Sequence, residues 1–294
     1  MIRSKQKNIE RFQNFLFVLP ALAFFLVFSA YPLYKTFQLS LFKWDGISTV
    51  TRFVVFDNYT RAFKDAIWWK SIYNGFYFAI MALVFMNPLA LLLAVAVYSE
   101  VKGSKIYKVI FYIPPIMSGL VVGYMWKWIY DPNNGILNSF LSLIHLGSLH
   151  KAWLSDLKTT LPAISIASIW QGFGGSFILF WAGLQVIPQE IYEAAEVDGA
   201  TAWQKLTRIT LPLLKNTYTV ITILTILGAM QILGLIIGMT NGGPGFETTV
   251  PSLRIYVEAF TNFRFGYASA LSVILGVMML IISLVKIRMD REKD

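Results

Sequence analysis

Six stretches of this chain contain no Asp, Glu, Lys, Arg or His: residues 12–34, 71–99, 109–126, 159–189, 216–246 and 265–285. Each reaches or exceeds the roughly 18 apolar residues at which a helix becomes long enough to cross a bilayer. Six spans are therefore expected, over about 12–34, 71–99, 109–126, 159–187, 216–240 and 265–285. The first is expected to be a span rather than a signal peptide. Its apolar stretch is too long, and it runs on through Tyr31-Pro32 with no small-residue cleavage site. Charged residues make up only 14% of the chain, against about 25% in soluble domains. The fold class is all-α integral membrane, with residues 1–294 forming a single transmembrane domain.

The net charge of +9 is placed at the ends and between the apolar runs. That pattern suits an anionic membrane face rather than nucleic acid. An even number of spans puts both termini on one side. Arg3, Lys5, Lys7 and Arg11 at one end, and Lys286, Arg288, Arg291 and Lys293 at the other, make that side cytoplasmic by the positive-inside rule. Loops 100–108 (Lys102, Lys105, Lys108) and 190–215 (Lys205, Arg208, Lys215) then lie inside. Loops 44–70, 127–158 and 247–264 lie outside. Arg52, Arg61, Lys64 and Lys70 in the first outer loop run against the bias, offset by Asp45, Asp57 and Asp65. Without cysteine there are no disulfides, thiolate metal sites or cysteine nucleophiles. His145 and His150 share one loop and have no metal-binding spacing, so no metal site is expected.

Small residues recur at four-residue spacing: Gly119 and Gly123, Gly234 and Gly238, then Ala268, Ser272 and Gly276. Such stripes let helices approach closely in lipid. Packing within the bundle is the commoner use, and contact with another subunit the alternative. Asn87 before Pro88 is expected to mark a kink at which its side chain re-satisfies freed backbone groups. Gly242-Gly243-Pro244-Gly245 lacks the lysine of a phosphate loop. It reads either as a tight turn or as a contact for an external protein.

Residues 188–212 carry the most specific pattern. Pro188 suits a first helical turn, and Glu190 and Glu193 sit near the positive end of the helix dipole. Ile191, Ala194 and Ala195 share a face. Gly199 suits a left-handed residue that ends this helix. Thr201 and Gln204 predict a capping box for a second helix. That helix carries Ala202, Leu206 and Ile209 on one face, with Trp203 beside them, and Pro212 marks its end. Read from its residues alone, the segment is either an amphipathic elbow lying on the membrane or a docking element whose acidic rim, Glu193, Glu196 and Asp198, meets a basic partner.

Glu193-Ala194-Ala195, then Gly199, nine residues, and Ile209-x-Leu211-Pro212 resemble the EAA motif of binding-protein-dependent ABC importer permeases. Leu206 stands where many relatives carry Phe. Further segments are similar to the carbohydrate-uptake, MalF-like branch of that family. They include Tyr31-Pro32, Phe56-Asp57-Asn58-Tyr59, Tyr112-Ile113-Pro114-Pro115, Trp170-Gln171-Gly172-Phe173, Asn241 to Gly245, and Phe265-Gly266-Tyr267-Ala268.

The resemblance implies a permease subunit in a bacterial inner membrane, forming half of an ATP-driven pathway for a sugar or similar polar solute. It would not be an enzyme. Its partners would be a second permease subunit, two cytoplasmic ATPase subunits and an extracytoplasmic solute-binding protein. ATP and Mg would sit on the ATPase, with no cofactor on this chain. The EAA loop would be a cytoplasmic coupling helix-turn-helix between spans 4 and 5, with Glu193, Ala194, Ala195, Asp198, Gly199, Ala200 and Leu206 as its coupling residues. Glu193 would meet a basic residue of the ATPase, and Gly199 would permit the bend. Gln171, Gly172, Thr225 and Gln231 match positions that line the solute site of MalF-like relatives, with Trp170 and Phe173 beside them as aromatic faces for a sugar.

Residue chemistry narrows the rivals. A self-sufficient carrier is expected to keep an ionisable group within the membrane or to show an inverted repeat, and neither is found. The spans are charge-free at their centres, which also favours a neutral or weakly charged solute. There is no G-x-x-x-x-G-K-[ST] loop for a built-in ATPase. An enzyme would need a nucleophile or acid–base pair near a membrane face, and nothing nucleophilic stands beside the acidic group at 190–198. A scaffold would not need the glycine-hinged acidic elbow.

Overall fold

A computed structural model describes residues 2–98 and 103–291. Lys102 and Lys293, used in the charge argument, lie outside the described residues, as do the side chains of Arg3, Lys5, Lys7, Arg11 and Lys105. The chain is mostly helical. Among the described residues, four helices are long and apolar enough to cross a membrane: Asn14–Ser40, Ala66–Tyr98, Thr160–Leu184 and Phe265–Arg291. Two bent pairs bring the number to six if each is one span. Two compact units are distinguishable, Met1–Lys64 with Ile255–Gly276 and Asp65–Arg254 with Val277–Asp294.

Three helices carry a proline at one fixed offset behind a widened, π-helical turn. Leu26–Ala30 precedes Pro32, Ala82–Met86 precedes Pro88, and Leu206–Thr210 precedes Pro212. In each, the amide just before the proline donates to a carbonyl five residues back: Tyr31 to Leu26, Asn87 to Ala82, Leu211 to Leu206. A proline has no N–H and its ring crowds the preceding turn. Widening that turn absorbs the misfit without breaking the helix. The Asn87 kink is therefore accommodated by the backbone, and the Asn87 side chain is used elsewhere.

Within the second unit, the apolar runs at 109–126 and 216–240 are not single straight helices. The first divides into Ser104–Ile116 and Gly119–Ile129, bent by 95°. Pro114 and Pro115 occupy the last turn before the bend, and Met117 and Ser118 are extended. The second run divides into Lys215–Met230 and Gly234–Met239, with a break at Gln231–Leu233. The two shorter pieces lie against each other. A Cβ on Gly123 would stand 2.8 Å from the Gly238 Cα, and one on Gly234 would stand 2.9 Å from the Leu120 backbone nitrogen. The stripes at Gly119 and Gly123 and at Gly234 and Gly238 thus serve packing inside this unit, where backbone contact compensates for the interruption of two helices.

One apolar cluster joins Ala90, Leu91, Ala94 and Val97 to Phe177, Phe180 and Leu184, with Ile187, Leu214 and Ile221. At the other end of the unit, Asp65 caps helix Ala66–Met81 and pairs with Arg254 at 2.7 Å. The Asn74 amide donates to the Glu247 and Thr249 carbonyls, 2.8 Å each, and Lys70 pairs with Glu247 at 2.7 Å. The neighbouring Gly242–Gly245 segment is a tight turn closed by Thr248, whose amide donates to the Gly242 carbonyl (3.2 Å) and whose hydroxyl donates to the Gly243 carbonyl (2.8 Å), with Gly242 and Gly245 left-handed.

In the first unit, helices Ile2–Phe25 and Tyr31–Ser40 lead into an antiparallel ladder in which Phe42 faces Phe53 and Lys43 faces Arg52. Helix Asp57–Lys64 follows. The Asn58 amide donates to the Ser40 and Phe42 carbonyls at 2.8 and 2.9 Å, tying the ladder to the end of the preceding helix.

Candidate functional site

The elbow at 188–212 is built as its residues dictate. Pro188 caps helix Gln189–Val197 from an extended conformation, one position before the first turn. Gly199 closes that helix at φ +74°. The Ala200 amide reaches back to the Ala195 carbonyl (2.9 Å) and the Gly199 amide to Glu196 (3.0 Å), the paired bonds of a Schellman stop. Thr201 and Gln204 then form the capping box. The second helix does not end at Pro212. It continues through the π turn to Leu213 and bends by 74° at Leu214 into Lys215–Met230.

Two contacts brace the elbow. Glu196 pairs with Lys205 at 2.6 Å across the turn. The Tyr192 hydroxyl and the Thr210 hydroxyl lie 3.0 Å apart, joining the first helix to the second. Burial raises the Tyr192 phenol above its usual pKa, so it stays neutral and able to donate. Of the expected face, Ala195 turns inward while Ile191 and Ala194 remain exposed. Glu193 and Asp198 are also exposed, Ala200 and Leu206 are half-buried, and Gly199 has open space around it. Val197 is 89% and Trp203 71% exposed. Their prominence was not anticipated, although a valine and a tryptophan on either side of a glycine hinge were there to suggest it.

The helices on either side of the elbow, Thr160–Leu184 and Lys215–Met230, line a cavity of about 420 Å³ together with residues of Ala66–Tyr98. Gln171, Gly172 and Thr225 line it, and Gln231 does not, although its neighbour Ile232 does. Gln231 is exposed, with its amide 3.6 Å from the Met279 sulfur. The polar lining comes from Ser168, Gln171, Ser176 and Thr225, and no charged residue is among the lining residues. Trp170 and Phe173 are turned away, against Trp126 and Phe111, and Phe78 supplies the aromatic wall.

Asn87 lies behind the lining, fully buried. Its amide donates to the Thr225 hydroxyl (3.2 Å), and its carbonyl oxygen accepts from the Ser176 hydroxyl (3.1 Å). Asn87 thus orients two cavity hydroxyls. The Gln171 amide donates to the Met117 carbonyl at 3.1 Å, satisfying a group freed by the 95° bend. Ser168 and Ser176 were missed in the sequence, although they sit four residues before and four after Gly172, on its helical face. Gly175 and Gly228 also line the cavity with nothing within 4 Å of a would-be Cβ.

The family described as "Binding-protein-dependent transport system inner membrane component" matches residues 86–291. The trehalose/maltose transport system permease protein MalF of Thermococcus litoralis is 31% identical, over 99% of this chain and 97% of its own. The diacetylchitobiose uptake system permease protein NgcF of Streptomyces coelicolor is 31% identical, over 95% of this chain and 82% of its own. A chain in the crystal structure of a bacterial alginate ABC transporter in complex with alginate pentasaccharide-bound periplasmic protein superposes with a TM-score of 0.82. It is 28% identical, and the match covers 97% of this chain and 96% of that one.

Proposed function

This chain belongs to the binding-protein-dependent inner-membrane transport components, and on that premise we propose that it is the sugar-conducting permease subunit of an ATP-driven importer. It is a transport component, not an enzyme. The reading rests on one observation: the elbow is joined directly to the helices that line the uncharged cavity. Leu184, Ile187, Leu214 and Ile221, all in one apolar cluster with Tyr192 packed on it, connect the two. Movement of the elbow is therefore transmitted to cavity walls by close-packed side chains.

In this proposal six spans form one transmembrane domain, with both termini and the elbow cytoplasmic and the elbow between spans 4 and 5. A second permease subunit completes the pathway. Two ATPase subunits hold ATP and Mg, and an extracytoplasmic binding protein delivers the solute. Glu193 meets a basic residue of the ATPase. Ala194, Ala195, Asp198, Gly199, Ala200 and Leu206 shape the element that docks there.

Gln171, Gly172 and Thr225 contact a neutral sugar through amide, bare backbone and hydroxyl. Gln231 would meet it on the side that the second permease closes. The uncharged lining supports a neutral solute, because desolvating a charge against it would be costly. Glu193→Lys tests the docking half of this account. ATPase recovered with the tagged permease should fall about tenfold, since a like charge would replace an attractive contact. Recovery at the wild-type level would count against the elbow as the docking element.

A further inference from the structure

The first unit contains a second cavity, of about 590 Å³, which shares no lining residue with the uncharged one. Four cations line it, Lys43, Arg52, Arg61 and Arg264, with two carboxylates, Asp45 and Asp57. Lys43 and Arg52 face each other across the two-residue ladder. Like charges directly opposite on antiparallel strands are destabilising, and no carboxylate among the described residues lies within salt-bridge distance of either one.

Asp45 does not relieve them. It accepts from the Ile47 and Ser48 amides at 2.9 and 2.8 Å, and these bonds hold its carboxyl below the ordinary value. Arg61 rests over the Tyr267 ring, 4.5 Å from its centre. Arg264 is 3.4 Å from the buried Glu258 carboxylate. Four cations against the two lining carboxylates and Glu258 leave the cavity with an excess of positive charge.

Its walls are pinned rather than floppy. The Trp44 indole donates to the Ser48 carbonyl (2.8 Å) and packs on Phe265, and the Gly266 amide donates to the Trp44 carbonyl (3.2 Å). Depth identifies the occupant. The cavity begins three residues after Ser40, where the apolar helix Asn14–Ser40 ends. That helix is exposed over most of its length, with Phe28, Leu33 and Phe37 uncovered, and becomes half-buried only in its last turns before Ser40. A site immediately past the end of a lipid-facing helix lies in the headgroup layer. Arginine forks match phosphate oxygens in pairs.

We propose that this cavity binds the phosphate group of an anionic phospholipid headgroup. The test uses the purified transporter in phosphatidylcholine nanodiscs, with and without phosphatidylglycerol. Retained phosphatidylglycerol is read by native mass spectrometry and Tm by thermal denaturation. The wild type should retain phosphatidylglycerol and gain Tm from it. Lys43→Gln with Arg52→Gln should retain about tenfold less. Its Tm in phosphatidylcholine alone should not fall, since a repulsive pair has been removed. Arg61→Lys keeps the charge and loses the fork, and should retain severalfold less. Equal phosphatidylglycerol retention by wild type and both variants would overturn the proposal. So would a Tm gain from inorganic phosphate with none from the lipid, which would place a soluble phosphate in the cavity.

Discussion

Single residues decide whether the uncharged cavity can hold a solute. Gly175 is the most informative, because a side chain there meets nothing of the chain within 4 Å and projects into the space beside Gln171 and Thr225. Gly175→Leu should fold and assemble normally. It should lower uptake at least roughly tenfold, the equivalent of about 1.4 kcal/mol at the transport barrier. Uptake assays on vesicles with matched permease levels check this, and normal uptake would place the solute path elsewhere. Asn87 is a different kind of residue. It does not line the cavity, yet it is buried and bonded to two lining hydroxyls. Hydrogen bonds within membranes contribute only about 0.6 kcal/mol on average, so its importance lies in aiming those hydroxyls rather than in stability.

At the scale of elements, the elbow depends on a single left-handed residue. Gly199→Ile places a β-branched side chain at φ +74°, at a cost of roughly 1–2 kcal/mol. The Schellman stop is lost, so the second helix leaves at a different angle. Membrane insertion should be unchanged, while uptake falls about tenfold for each ATP hydrolysed. Gly199→Asn should be milder, because asparagine tolerates this conformation. Comparing uptake with ATP hydrolysis in the same vesicles separates the two, and a fully coupled isoleucine variant would refute the hinge.

The elbow was legible in the sequence because each cap is a local rule: Gly199 for the stop, Thr201 and Gln204 for the box. Four long apolar helices were equally legible from length alone. The breaks in the runs at 109–126 and 216–240 were not. Hydropathy is the same on both sides of Ser118 and of Gln231, and the bends depend on Gly123 meeting Gly238 across more than a hundred residues. Gln171, Gly172 and Thr225, singled out through the resemblance to MalF-like permeases, line one cavity. Trp170 and Phe173 were misjudged because adjacency in sequence is not a shared face on a helix.

For the whole molecule, the cavity and the elbow each make sense only with the other. The cavity lining carries no carboxylate, histidine or lysine of the kind that proton-coupled carriers keep within the membrane, which accords with a driving force that arrives from outside the spans. The elbow, joined to the cavity helices through Leu184, Leu214 and Ile221, is where it can arrive. Solute uptake by proteoliposomes measures this directly. The account predicts ATP-dependent accumulation when the permease pair, the ATPase and the binding protein are all present, and none when this chain is reconstituted by itself. Accumulation by this chain alone, with no ATPase in the vesicles, would contradict it.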